Sequence, residues 1–226
     1  MNPNHQQWNV QHKLLQRAIA ARNNHQEAIS IFLGLHAMVH AGQMSQVGLW
    51  SFEDDVWHGL SAEAARTVPK NEDHSIAWLF WHIARIEDVT MNMLVAGSPQ
   101  VLIRDGWLDK LYITRRDTGN LTDVEAVQAL SRVIDLDALR GYRLAVGRRT
   151  REIVQALAPG QLKQKVDPVR LQKVLTEGAV IEAANDLIEY WGNKTIGGLL
   201  AMPPTRHNFV HLNEALRVKH LSKAND

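Results

Sequence analysis

Near the carboxyl end, two histidines and a glutamate stand where a helix would ordinarily present core leucines. In the stretch Thr205-Arg206-His207-Asn208-Phe209-Val210-His211-Leu212-Asn213-Glu214, the residues His207, His211, Glu214, Val218 and Leu221 recur at i, i+4, i+7, i+11 and i+14. At about 100° per residue they share one face, with the spacing of a buried stripe. The first three are polar, and a buried imidazole or carboxylate costs free energy unless something pairs with it. That partner is a metal, a hydrogen-bond network, or water at a local opening. His207 and His211 project from adjacent turns, so both rings can reach one ion. This is the logic of the helical zinc motif His-Glu-x-x-His, although Asn208, Phe209 and Val210 fill the interval here. Three protein ligands with an open position would make a catalytic site, and four a structural one. Glu214 is placed to ligate, to orient a histidine, or to take a proton.

A third ligand must come from elsewhere in the chain. His82 lies in His74-Ser75-Ile76-Ala77-Trp78-Leu79-Phe80-Trp81-His82-Ile83-Ala84-Arg85-Ile86-Glu87-Asp88, on the flank of an apolar stripe made by Ile76, Leu79, Ile83, Ile86 and Met93. That position predicts burial at a seam between helices. His36 and His40 form a second i, i+4 pair. For all of these histidines the plainer reading is a core imidazole bonded to a carbonyl or carboxylate. Arg140, Arg143, Arg148, Arg149 and Arg151 read as a solvated helix face. Trp50, Trp57, Trp78, Trp81 and Trp191 read chiefly as core material, with Trp81 turned toward a partner subunit. No glycine-rich phosphate loop, nucleophile elbow or Glu-x-x-His di-iron pair is present.

The chain has 226 residues, 45% of them hydrophobic and 22% charged, with a net charge of +1 and no cysteine. Length and composition suit one large globular domain, and the charge balance gives no argument for nucleic acid or an acidic membrane. Without cysteine there are no disulfides, thiolate metal sites or cysteine nucleophiles. Any metal is held by His, Asp or Glu, and any thiol arrives with a substrate. The polar start lacks the build of a signal peptide. The apolar run from Ile31 to Gly42, interrupted by His36 and His40, is shorter than the roughly 18 residues that suggest a membrane span. A cytoplasmic protein is the expectation.

Helical periodicity runs nearly throughout. It predicts helices near 5–22, 25–47, 73–96, 122–134, 136–158, 180–200 and 205–221, with 98–121 as a long crossover loop. Gly97-Ser98-Pro99, Pro159-Gly160 and Pro203-Pro204 punctuate them. The expected fold is all-α: residues 1–24 an N-terminal helical extension, residues 25–226 a helical bundle domain.

The segments Trp78 to Glu87 and His207 to Glu214 resemble the DinB/YfiT-like superfamily of metal-dependent enzymes. Leu49 to Leu60, Tyr142 to Leu157 and Tyr190-Trp191-Gly192-Asn193-Lys194-Thr195 add to a similarity spanning roughly residues 29–220. One departure is Asn213, where the family often has glycine. The resemblance implies a four-helix bundle with a long crossover connection, and a divalent metal, zinc or nickel, at one end. The implied ligands are His82, His207 and His211. Relatives include transferases and isomerases that use small thiols, which makes a thiol-dependent S-transferase acting on a small molecule the first expectation. A hydrolase on the same ligands is the alternative, with Glu214 as proton acceptor and Arg85 or Arg206 pairing an anionic substrate group. A non-catalytic helical module with structural histidines is the third. The expected assembly is a homodimer that binds neither nucleic acid nor membrane.

Overall fold

A computed structural model describes residues 3–223, and among them there is no β-strand. Six helices organise the molecule: α1 Pro3–Ala20, α2 His25–Met38, α3 Ile76–Asp88, α4 Val124–Val133, α5 Leu136–Gln155 and α6 Asn208–Lys223. The core bundle is made by α2, α3, α5 and α6. Helix α3 packs against α5 and α6, and α1 lies along α2. Side-chain caps start several helices where the sequence offers Ser or Asp. Ser75 Oγ accepts from the Trp78 amide at 3.0 Å, Asp123 from Ala126 at 2.8 Å and Asp135 from Ala138 at 2.7 Å. Among the described residues no helix is long and apolar enough to cross a membrane.

Every residue of α3 is buried, not only its apolar stripe. Its polar members therefore need internal partners, and they fasten the bundle. The Glu87 carboxylate accepts four hydrogen bonds. His36 Nε2 (2.9 Å) and Thr150 Oγ1 (2.8 Å) donate to Oε1. His40 Nε2 (2.9 Å) and Asn208 Nδ2 (2.7 Å) donate to Oε2. These donors come from α2 and the turn after it, from α5, and from the start of α6, so all four bundle helices meet at one carboxylate. Burial alone would raise the Glu87 carboxyl, but the neighbouring His40 and His36 outweigh it and hold it well below the usual carboxylate range. Asp88 does similar work next door. It accepts from Tyr142 at 2.7 Å, Arg85 at 3.1 Å and Asn92 at 2.8 Å, and from the amides of Val101 and Leu102 at 2.8 and 2.9 Å.

Several expected boundaries shift for identifiable reasons. The helix expected over 25–47 ends at Met38, and the departing chain carries His40 onto Glu87. The helix expected over 73–96 begins at Ile76 and widens into a π-helical segment, Val89–Ala96. There the Thr90 hydroxyl takes the Ile86 carbonyl at 2.7 Å, competing with the regular ladder. The stretch expected to be helical over 180–200 breaks after Gly192, and Thr195 caps a new turn, Ile196–Leu200. Short helices, Val101–Arg104 and Trp107–Leu111, interrupt the expected 98–121 loop. Phe52–Trp57, Ala62–Arg66 and Pro168–Thr176 are helices that periodicity did not reveal.

Two expectations about side chains are corrected. Arg143 does not lie on a solvated face. It is fully buried, with Nε 3.0 Å from Glu53 and Nη2 2.7 Å from the Val39 carbonyl, while Arg140 and Arg148 are exposed. Trp81 does not face outward either; it is fully buried, with the Arg115 guanidinium 5.6 Å from its ring centroid.

The buried imidazoles make stability depend on pH. Burial, with the nearby Arg143, pushes His40 down to about 3, and burial lowers His36. An unfolded chain protonates histidine near 6.5, so between about 6.5 and 3 the unfolded state binds more protons than the native one. Stability must fall as pH drops through that window. Glu87, lowered from its ordinary value, adds the same sign below about 4.5, whereas the raised Glu53 carboxyl opposes it. Urea midpoints measured with a chelator present should decline from pH 7 to pH 5, and less steeply in His40→Gln. A midpoint flat over that range would contradict this account.

Candidate metal centre

Three imidazoles converge at the seam between α3 and the start of α6. His82 Nε2 lies 3.2 Å from His207 Nε2, across 125 residues of sequence. The ring of His211 is 5.1 Å from that of His82 and 4.5 Å from that of His207, centroid to centroid. One ring nitrogen from each of the three lies within 4.8 Å of the others. A tetrahedral zinc ion about 2.0–2.1 Å from each nitrogen would set its ligands roughly 3.3 Å apart. The His82–His207 separation is of that size.

The far ring nitrogens fix the tautomers. His82 Nδ1 donates to the Thr118 carbonyl at 2.6 Å, which leaves Nε2 as a lone pair. His211 Nδ1 donates to Glu214 Oε2 at 2.9 Å. The other oxygen, Oε1, accepts from His74 Nδ1 at 2.8 Å. Oxygen acceptors behind a ligating imidazole orient the ring and raise its basicity. Burial, then the proximity of His211, pushes His82 down to about 3, and burial with its two histidine neighbours holds His207 well below its ordinary value. Both rings are therefore neutral at pH 7, the form a metal requires. Burial would raise Glu214, but the bonds from His211 and His74 pull it to about 2. It is a carboxylate at any ordinary pH.

Local sequence explains the placement. His74, Trp78 and His82 stand at i, i+4 and i+8, and the Trp78 ring stacks on both imidazoles, at 4.2 and 4.8 Å between centroids. Gly119 has φ of +81°, and a Cβ there would lie 2.5 Å from Trp81 Cζ3. Only glycine lets this loop come close enough to bring the Thr118 carbonyl to His82. Arg85 secures the same loop through the Arg116 carbonyl at 2.7 Å. On the other wall, a π-helical turn, Pro203–His207, leads into α6, and the His207 amide bonds the Met202 carbonyl at 2.8 Å. The three histidines, with His74 and Trp78, line a cleft of about 700 Å³ whose edge carries Asp73, Asp123 and Glu125.

Of the residues singled out in the sequence, His82, His207, His211 and Glu214 come together. Arg85 and Arg206 do not reach the cleft. Arg85 is fully buried and bonded to Asp88, Tyr142, Gln100 and the Arg116 carbonyl. Arg206 donates to Asn9 Oδ1 at 2.7 Å and lies over Trp8 and Phe209. Neither is free to pair an anionic substrate. His74 and Thr118 were missed as partners. The i, i+4, i+8 spacing pointed to His74, whereas a backbone carbonyl 36 residues from His82 leaves no sequence signal.

His36, His40 and Glu87 form a second group with ligand-like proximity. Their chemistry differs. Both histidines spend Nε2 as a donor to Glu87, and their Nδ1 atoms have no partner. A metal on Nε2 would displace two of the four bonds that satisfy the buried Glu87 carboxylate, a costly loss. This cluster is a hydrogen-bonded fastening.

The sequence model of the DinB superfamily matches residues 54–213, and the chain belongs to that superfamily. No curated protein matches it.

The tautomers are directly testable. Ring nitrogen–proton correlation spectra of the metal-free protein at pH 7 should show His82 and His211 protonated on Nδ1, and His36 and His40 protonated on Nε2. Nε2 protonation of His82 would remove the lone pair on which the metal reading depends.

Proposed function

We propose that the protein is a divalent-metal-dependent enzyme in which His82, His207 and His211 hold zinc or nickel, and that a small-molecule thiol is its cosubstrate in an S-transfer reaction. One observation carries this reading: three imidazoles meet at a cleft, with the far nitrogens of His82 and His211 bonded to oxygen acceptors. Two facing Nε2 lone pairs 3.2 Å apart repel unless a proton or a cation lies between them. A divalent ion held by His82, His207 and His211 would lower the pKa of a bound thiol and so make a thiolate available at neutral pH. The chain has no cysteine, so the sulfur arrives with the cosubstrate.

Glu214 supports S-transfer over hydrolysis. Both of its oxygens are engaged, one by a candidate ligand and one by His74, and a carboxylate held near 2 is a poor base. Its role in this reading is to orient His211. Charge at the cleft bears on substrate class. Asp73, Asp123 and Glu125 line it and, among the described residues, no lysine or arginine does, so a neutral or cationic substrate tail is favoured over an anionic one.

His211→Ala and His82→Ala should lose bound metal, measured by elemental analysis of protein purified without a His-tag, while retaining helical circular dichroism. Glu214→Gln should weaken metal binding by about 10–100-fold. With an aryl halide electrophile, turnover should require added thiol. Cysteamine should outperform 3-mercaptopropionate, with 2-mercaptoethanol between them, and the spread should narrow as salt screens the rim carboxylates. Ester hydrolysis indifferent to thiol would overturn the transferase reading. Full metal content in His211→Ala would overturn the site.

A further inference from the structure

The N-terminal helix α1 grips the segment that carries His207 and His211 from behind. Phe209 stands two residues from each histidine, about 200° around α6, and so points away from the cleft. The fully buried Trp8 ring stacks on Phe209 at 4.1 Å between centroids, tilted by 14°. Trp8 is itself fixed by a hydrogen bond from Nε1 to the Leu35 carbonyl of α2 at 3.3 Å. Arg206, the residue before His207, donates to Asn9 Oδ1 at 2.7 Å, with its guanidinium 5.6 Å from the Trp8 and Phe209 centroids. Further back, the buried His12 donates through Nε2 to the Ala201 carbonyl at 2.8 Å. A Cβ on Gly197 would lie 2.6 Å from Ile19 Cγ2, so α1 presses on the approach to the turn as well. Positions 201, 206 and 209 are thus held on both sides of His207 by three residues of one helix.

The grip falls where the backbone most needs support. His207 ends a π-helical turn, and the i→i−5 bond from its amide to Met202 is the wide, less regular geometry that regular helices avoid. The ring meets His82 through Nε2 at 3.2 Å, but its far nitrogen, Nδ1, is buried with no partner. His82 and His211 have their orienting oxygens, whereas the direction of the His207 ring is left to its backbone and packing. The family match begins at residue 54, so α1 lies outside it.

We propose that α1, through Trp8, Asn9 and His12, is a positioning element for His207 and His211. The proposal rests on the metal reading above in what these ligands are for, but the placement of the rings can be tested without metal. In ring nitrogen–proton spectra of chelator-treated protein, Trp8→Ala should shift or broaden the His207 and His211 signals. His36 and His40, on the Glu87 side, should stay at their wild-type positions. Trp8→Phe, which keeps an aromatic ring against Phe209, should restore the wild-type spectrum. In chelator competition with cobalt, Trp8→Ala should weaken binding by about 10–100-fold, the usual consequence of losing support behind a ligand, and Trp8→Phe should bind like wild type. Should Trp8→Ala fail to fold, Asn9→Ala removes the contact to Arg206, together with a bond within α1 from Asn9 Nδ2 to the His5 carbonyl, and should move both readouts in the same direction by less. Unchanged His207 and His211 signals in these variants, with a lowered thermal midpoint, would reduce α1 to a stabilising strut and overturn the proposal. Wild-type protein that binds no cobalt, zinc or nickel would defeat the metal reading, while the ring signals would still decide the role of α1.

Discussion

The Glu87 carboxylate is the point on which the bundle depends. A buried carboxylate is expensive unless every lone pair is used, and Glu87 meets that condition by drawing one donor each from His36, His40, Thr150 and Asn208. The requirement is geometric as much as energetic. Donors from α2 and the turn after it, from α5 and from α6 can reach one carboxylate only if those helices are correctly rotated and in register, a specificity that apolar contacts alone enforce weakly. Asn208 is the consequential member. It is the first residue of α6 and follows His207, so the bond that satisfies Glu87 also sets where the candidate ligand helix begins.

The two histidine clusters show how little composition decides. Each sets two histidines at i, i+4 near a glutamate, and each sits within ligand distance of a third group. Which nitrogen is already committed separates them. Around Glu87 the imidazoles donate through Nε2, so the nitrogens that face the carboxylate carry protons and not lone pairs. At the cleft, a carbonyl and a carboxylate take the Nδ1 protons and leave lone pairs pointing inward. Acceptors behind the ring leave a lone pair that could take a metal, and an acceptor in front of it makes a fastening.

Sequence reasoning reached the parts of this arrangement that are local. The stripe of His207, His211 and Glu214 follows from helical periodicity, and those residues do lie together. His82 came from the family resemblance, since no spacing rule joins residues 125 positions apart. What stayed hidden was set by tertiary contact. The four donors to Glu87 come from three separate segments of the chain, Thr118 acts through a backbone carbonyl, and the arginines expected near substrate are drawn off by Asp88 and Asn9. Short helices such as Phe52–Trp57 and Pro168–Thr176 span too few turns for a period to register. Their signals lay in the caps Ser51 and Asp167.

The candidate site therefore takes its precision from elements that never touch a substrate. Glu87, through Asn208, holds the first turn of α6 on its inner side, and Trp8, through Phe209, presses on its outer side. Arg85 ties down the loop that presents Thr118 to His82. Each of these acts on backbone next to a ligand, not on the ligand ring. An imidazole can rotate about its own side-chain bonds, but it cannot make up for a displaced helix turn, because ligand distances tolerate only about 0.2 Å. A site assembled across two helices so far apart in sequence needs its backbone fixed first. The buried charges in α3 are best understood as what that requirement imposes.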